Sequence, residues 1–89
     1  DGLMSVGTMS AISAKGLEIP RDLSLVCFDD LDWMTFVGPG IDAIAQPRRK
    51  LGRAAARFLL ARIGEAEGAP RDMRLSPRMV ARGSLRSIL

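Results

Sequence analysis

Histidine is absent from the 89 residues and cysteine occurs once, at Cys27. The chain therefore cannot assemble a Cys/His zinc site, a Ser-His-Asp triad or a Cys-His pair from its own side chains. A single thiol closes no internal disulfide, and Cys27 lies in an apolar run where a small buried side chain is expected, which fits a reducing compartment. No apolar run approaches the roughly 18 residues of a membrane span, and no basic, apolar leader opens the chain. The expectation is a soluble chain with no membrane partner and no targeting address. There is also no G-x-x-x-x-G-K phosphate loop, no internal repeat and no low-complexity tract.

What remains is ordinary globular composition, with 47% hydrophobic and 26% charged residues, nine Gly and five Pro. The length permits one domain at most, and a chain this short buries only about 60–65% of its unfolded surface, little for a deep private active site. It begins at Asp1 in a segment already apolar and helix-like, so it is expected to be part of a larger folded unit. The net charge of +3 comes from 13 basic and 10 acidic residues. A pI near 10 points towards nucleic acid. The bases, however, are dispersed and not interleaved with aromatics. Their one concentration, Arg48, Arg49, Lys50, Arg53 and Arg57, puts Arg49, Arg53 and Arg57 on one helix face, which dispersion favours as a solvated face over a phosphate-binding stripe.

Along the chain, Leu3 to Lys15 contains no Pro and is followed by Gly16, which predicts a helix with a glycine at its C-terminal cap. Its apolar residues surround most of the circumference, so more than one side should be covered. Pro20 interrupts regular structure, and Leu23 to Phe28 is a continuous apolar run of the kind found in a buried parallel strand. The 29–40 segment is a loop opened by carboxylates and closed by Gly38-Pro39-Gly40. A short strand is expected over Ile41 to Ala45. Pro47 at the first helical position then starts a helix from Arg48 to Ile63 with an apolar stripe of Leu51, Ala55, Phe58, Leu59 and Ile63. Gly64 to Pro70 reads as a connection, with short strands at Met73 to Leu75 and Met79 to Ala81. Helix, turn and parallel strand make half of a βαβ unit, hence an α/β fold.

The polar group that needs explaining is Asp29, Asp30 and Asp32 with Trp33, directly after an apolar strand. In open α/β sheets ligands bind beyond the carboxyl ends of strands. A carboxylate there can accept hydrogen bonds from vicinal hydroxyls, and a Trp can cover the apolar face of a sugar. A solvated turn whose Asp side chains cap local N–H groups accounts for the same residues equally well. An Mg²⁺-dependent phosphotransfer site is disfavoured, because the positioned Lys and the phosphate cradle are missing.

These residues resemble the lactose-repressor-like bacterial transcriptional regulators, in the C-terminal part of their sugar-binding domain. The match runs through Asp1-Gly2-Leu3-Met4 with Gly7, Gly16 to Asp22, Leu23 to Asp30, and Pro39 with Ile41, Ile44, Gln46 and Pro47. It continues through Leu51-Gly52, Ala55, Leu59-Leu60, Arg62-Ile63, Leu75, Pro77, Arg82 and Ser84. Two departures stand out. Cys27 replaces the family's usual Gly before the aromatic, and Asp42-Ala43 replaces its usual Thr-Thr.

The resemblance implies a fragment of a two-lobed, periplasmic-binding-protein-like α/β fold, with the effector between the lobes. Residues 1–45 and 78–89 would belong to the C-terminal lobe and residues 46–77 to the N-terminal lobe. It implies a sugar-sensing module and not an enzyme, with no cofactor and no metal, in a cytoplasmic homodimer. Operator DNA would be bound through an upstream helix-turn-helix absent from this chain. By matching positions, Asp29, Asp1 and Gln46 would face the effector, and Leu3, Val6, Met9, Trp33 and Phe36 would lie at the dimer interface. The alternative is a periplasmic sugar-binding protein of a transporter, which shares the fold.

Overall fold

The computed structural model describes residues 1–64 and 72–87. Where length alone allowed one domain, the chain divides into two compact units, one of residues 1–46 and 78–89 and one of residues 47–77.

The first unit opens with helix α1, Gly2–Ala14. Asp1 is its N-cap, its side chain accepting the Met4 N–H at 3.0 Å. The hydroxyls of Ser5 and Thr8 donate back to the carbonyls of Asp1 and Met4, which reconciles small polar residues with a helical backbone. At the other end Gly16, at φ +68°, donates to Ser13 O, and Leu17 donates to Ile12 O. This paired closure satisfies two late carbonyls and needs a residue at ease in the left-handed region. Only one side of α1 is covered by the described residues. Ser5 and Ile12 are buried, whereas Leu3 is 88% and Met4 70% exposed.

Strands β1 (Val26–Phe28), β2 (Asp42–Ala45) and β3 (Arg78–Val80) form a sheet in that order. β1 pairs parallel to β2, with Cys27 opposite Ala43, and β3 pairs antiparallel to β2, with Met79 opposite Ile44. A single 3₁₀ turn, Asp32–Thr35, interrupts the loop between β1 and β2. The core gathers on it and on the strands: Cys27, Met34, Ile41 and Ala43 are buried, with Met9, Leu25, Leu31 and Trp33 packed around them. The antiparallel edge is supported by Ser84, fully buried after β3 and bonded to Leu25 and Asp42.

β1 is shorter than the apolar run suggested: Leu25 N–H is taken by Ser84 O and not by a neighbouring strand, and the segment after β3 is tied on further by Arg86 N–H donating to Ser24 Oγ. Nor is it buried on both faces. Cys27 is buried while Val26 and Phe28 are about half exposed, since residues of this unit cover one face only.

The second unit is built on helix α2, Arg48–Ile63, with the bounds expected from sequence. Pro47 stands at the N-cap rather than the first helical position, and its carbonyl accepts the Leu51 N–H at 2.9 Å. Arg49, Arg53 and Arg57 are exposed, as a solvated face requires, and Phe58 is half-buried. Met73 to Leu75 is not a strand. Among the described residues of this unit no strand stands beside it to take its N–H and C=O groups, without which an extended segment has no ladder. The connection expected from Gly64 to Pro70 lies outside the described residues beyond Gly64.

Candidate functional site

β1 and β2 run parallel, so Asp29, which follows β1, and Gln46, which follows β2, emerge at the same end of the sheet. The Asp29 N–H completes the ladder by donating to Ile44 O at 2.9 Å. Its side chain then meets Gln46, whose Nε2 donates to Asp29 Oδ1 at 2.5 Å, with both side chains half-buried. Among the described residues Asp29 is also the one non-glycine residue with positive φ, +83°. That conformation costs an L-residue roughly 1 kcal/mol and is tolerated best by Asp and Asn. Residues kept in such a conformation cluster where a chain must present a group to a ligand.

The third candidate, Asp1, stands at the start of α1. A Cβ on Gly2 would lie 3.1 Å from Leu31 Cδ1, so the first turn of α1 rests against the loop that leaves β1. Asp1 is exposed there, and one of its oxygens is committed to capping α1. The structure therefore brings Asp29 and Gln46 into direct contact, and it uses Asp1, beside the loop that leaves β1, as the cap of α1.

A carboxylate has lone pairs for about four hydrogen bonds, and a primary amide can both donate and accept. With Gln46 occupying one acceptor site, the Asp29–Gln46 pair keeps the capacity to take hydroxyl protons and to donate an N–H. Polyhydroxylated ligands need this combination.

The neighbouring acids behave differently. Asp30 pairs with Arg82, whose Nη1 lies 2.8 Å from Asp30 Oδ1 and whose Nη2 donates to Oδ2 at 3.1 Å. This hydrogen bond raises the Arg82 guanidinium above its ordinary value, against burial that lowers it. Asp32 is exposed in the first turn of the 3₁₀ segment. The adjacent acids are thus divided between a hydrogen bond to Gln46, an ion pair with Arg82 and a helix start. Among the described residues no cluster of three or more metal-ligating side chains forms. Asp30 belongs to the acidic group visible in sequence, but its pairing with Arg82 does not, because Asp30 and Ile41 lie 52 and 41 positions away from Arg82.

Of the five residues expected at a dimer interface, three line one hollow on the first unit, and the other two, Leu3 and Phe36, are exposed. Val6, Met9, Trp33 and Val37 line an apolar hollow of about 230 Å³. Phe36, in the same loop as Trp33, is 81% exposed, and Leu3 lies on the uncovered side of α1.

Comparison with known proteins agrees with this architecture. The periplasmic binding protein-like domain family matches residues 1–85. The HTH-type transcriptional regulator KdgR of Bacillus subtilis is 39% identical over 85 residues, covering 96% of this chain and 25% of that protein. A LacI family transcriptional regulator from Enterococcus faecalis, crystallised with bound ribose, superposes with a TM-score of 0.79 at 30% identity. It covers 91% of this chain, which spans 30% of it. The transcriptional regulator CelR in complex with cellobiose gives 0.80 at 28% identity, covering 92% of this chain and 25% of that one. The chain spans about a quarter to a third of the length of these relatives, all of which are regulators. With a family match across nearly its whole length and this strand-end arrangement, the chain belongs to the periplasmic binding protein-like domain family, in the form carried by lactose-repressor-like transcriptional regulators.

Proposed function

We propose that this chain is the ligand-sensing part of a sugar-responsive transcriptional regulator, and that Asp29 accepts hydroxyl hydrogen bonds from the effector. The observation that carries the reading is Asp29 itself. It stands at the carboxyl end of a parallel strand in a left-handed conformation, with its carboxylate fixed by Gln46. Gln46 orients that carboxylate and offers its own amide to the ligand, and Asp1 contributes from the start of α1. Sugar-bound relatives of the same fold support a polyhydroxylated ligand. In this reading the unit of residues 1–46 and 78–89 belongs to the C-terminal lobe and residues 47–77 to the other. The protein works in the cytoplasm as a sensor and not as an enzyme.

The same reading makes Leu3, Val6, Met9, Trp33 and Phe36 a homodimer surface. A large aromatic at 81% exposure beside an apolar hollow is the shape complementarity that a two-fold interface can satisfy, each copy's Phe36 meeting the other's hollow. Operator DNA would be bound by a helix-turn-helix upstream of this segment in the intact regulator, as the dispersed bases of this chain suit no groove.

The test is operator binding by the intact regulator with and without ribose or cellobiose. A sugar-dependent change in operator affinity is expected with at least one of them or a related sugar. Operator binding indifferent to every sugar in a broad panel overturns the proposal.

A further inference from the structure

Arg82 follows β3, yet its guanidinium reaches into the turn that carries Asp29. Nη1 donates to Ile41 O at 2.8 Å, and the same group pairs with Asp30, both side chains being mostly buried at 18% and 23% exposure. A planar fork of N–H donors is what allows one side chain to hold a carboxylate and a carbonyl together. The approach depends on two glycines. A Cβ on Gly40, at φ +83°, would stand 2.9 Å from Arg82 Cβ, and one on Gly83 would stand 2.7 Å from the Pro39 carbonyl oxygen. Two close approaches between segments distant in sequence therefore serve to seat one arginine.

Asp29 needs restraint from outside its own residue, since a left-handed Asp persists only when the surroundings over-determine it. Three ties are visible. The Asp29 N–H bonds to Ile44 O, the Asp29 side chain bonds to Gln46, and the next residue is held by Arg82. The first two come from β2 and its end. The third alone comes from the segment after β3, and it joins the Asp30 carboxylate to Ile41, the residue just before β2.

We infer that Arg82 is a positioning residue for the effector turn, fixing the backbone of Asp29–Asp30 against Ile41 so that the Asp29 carboxylate stays on Gln46. This rests on the reading of Asp29 as the sugar acceptor. It assigns Arg82 no contact with the sugar. It does make the segment after β3, remote in sequence, part of what sets effector affinity.

The test uses the intact regulator with Arg82→Gln, Arg82→Lys and, as a control of general stability, Gly16→Ala at the far end of α1. Two readouts are taken well below each variant's unfolding temperature. The first needs no sugar and follows the Gln46 side-chain amide protons by NMR. They are expected to move towards solvent-exposed values in Arg82→Gln, to move less in Arg82→Lys, which keeps the ion pair with Asp30 but loses the fork, and to stay in place in Gly16→Ala. The second is calorimetric titration with ribose and cellobiose, where Arg82→Gln should weaken binding about ten-fold while Gly16→Ala leaves it unchanged. Unmoved Gln46 signals in both Arg82 variants overturn the inference, whatever the sugar does. If the Gln46 signals move in Arg82→Gln but sugar affinity does not, positioning stands and the reading of Asp29 as sugar acceptor fails.

Discussion

Ser84 and Asp42, 42 residues apart, close a ring of hydrogen bonds at the start of β2. Asp42 N–H donates to Ser84 Oγ at 2.7 Å and Ser84 N–H donates to Asp42 Oδ1 at 2.9 Å, both groups being buried. Ser84 Oγ also lies 2.5 Å from Leu25 O, so one hydroxyl joins the segment before β1, the start of β2 and the segment after β3. Replacing Ser84 by Ala strands the buried Asp42 N–H and the part-buried Leu25 carbonyl, and a loss of about 1–3 kcal/mol of stability is expected in chemical denaturation. A change within a few tenths of a kcal/mol would show that the ring is incidental.

The same ring makes acid stability depend on Asp42. Burial pushes its carboxyl up, but hydrogen bonds from the N–H groups of Ser84, Arg82 and Gly83 and from the Ser84 hydroxyl outweigh it and hold the group below its usual value. A carboxylate lowered on folding contributes stability that is fully present above its unfolded value. That contribution fades as pH falls through the folded one. Asp42→Asn should therefore be less stable than wild type at neutral pH, with the gap narrowing on acidification below about pH 4. A gap that stays constant between pH 6 and pH 3 would rule out the linkage.

Two glycines should respond unequally to alanine. Gly16 lies at φ +68° with open space around its Cβ direction, so Gly16→Ala should cost only the left-handed penalty, about 1 kcal/mol. Gly40→Ala adds a 2.9 Å clash with Arg82 Cβ to the same penalty and should cost distinctly more. Thermal unfolding of the two variants side by side checks this, and equal losses would show that Arg82 is not packed against Gly40 as described.

The apolar patch gives a solution-state prediction. Phe36→Ser and Val6→Glu should each shift the intact regulator from dimer towards monomer in sedimentation, because one removes the protruding ring and the other puts a charge in the hollow. A dimer of unchanged stability in both variants would place the interface elsewhere.

Periodicity and caps were enough to read α2 to the residue and α1 to within a residue at each end, since Pro47 and Gly16 mark their limits through local backbone chemistry. Strands were harder. The run from Leu23 looked like a buried strand because apolar residues are continuous there, but strand length is set by partners. Here Ser84 takes the bonds that would have extended it. Met73 to Leu75 has strand-like composition and no neighbour to pair with among the described residues. At the site, Asp29 was legible from its place after an apolar run. Its partner Gln46 came only from resemblance, because contact across a parallel crossover leaves no spacing signature. Arg82 and Asp30 are joined over 52 positions, and nothing local in either segment announces the pair.

The most direct measurement is calorimetric titration of ribose and cellobiose into the intact regulator and its Asp29→Asn and Asp32→Asn variants. Asn keeps the shape of Asp29 but removes the charge from the acceptor, and charge-assisted hydrogen bonds are roughly twice as strong as neutral ones. The Asp29 variant should lose about 1.5–3 kcal/mol of binding, or roughly ten- to a hundred-fold in affinity for whichever sugar binds the wild type. The Asp32 variant, exposed at the start of its 3₁₀ turn, should bind as the wild type does, and operator binding without sugar should be unchanged in both. Unaltered sugar affinity in Asp29→Asn would contradict the assignment of the strand-end carboxylate as the effector's acceptor.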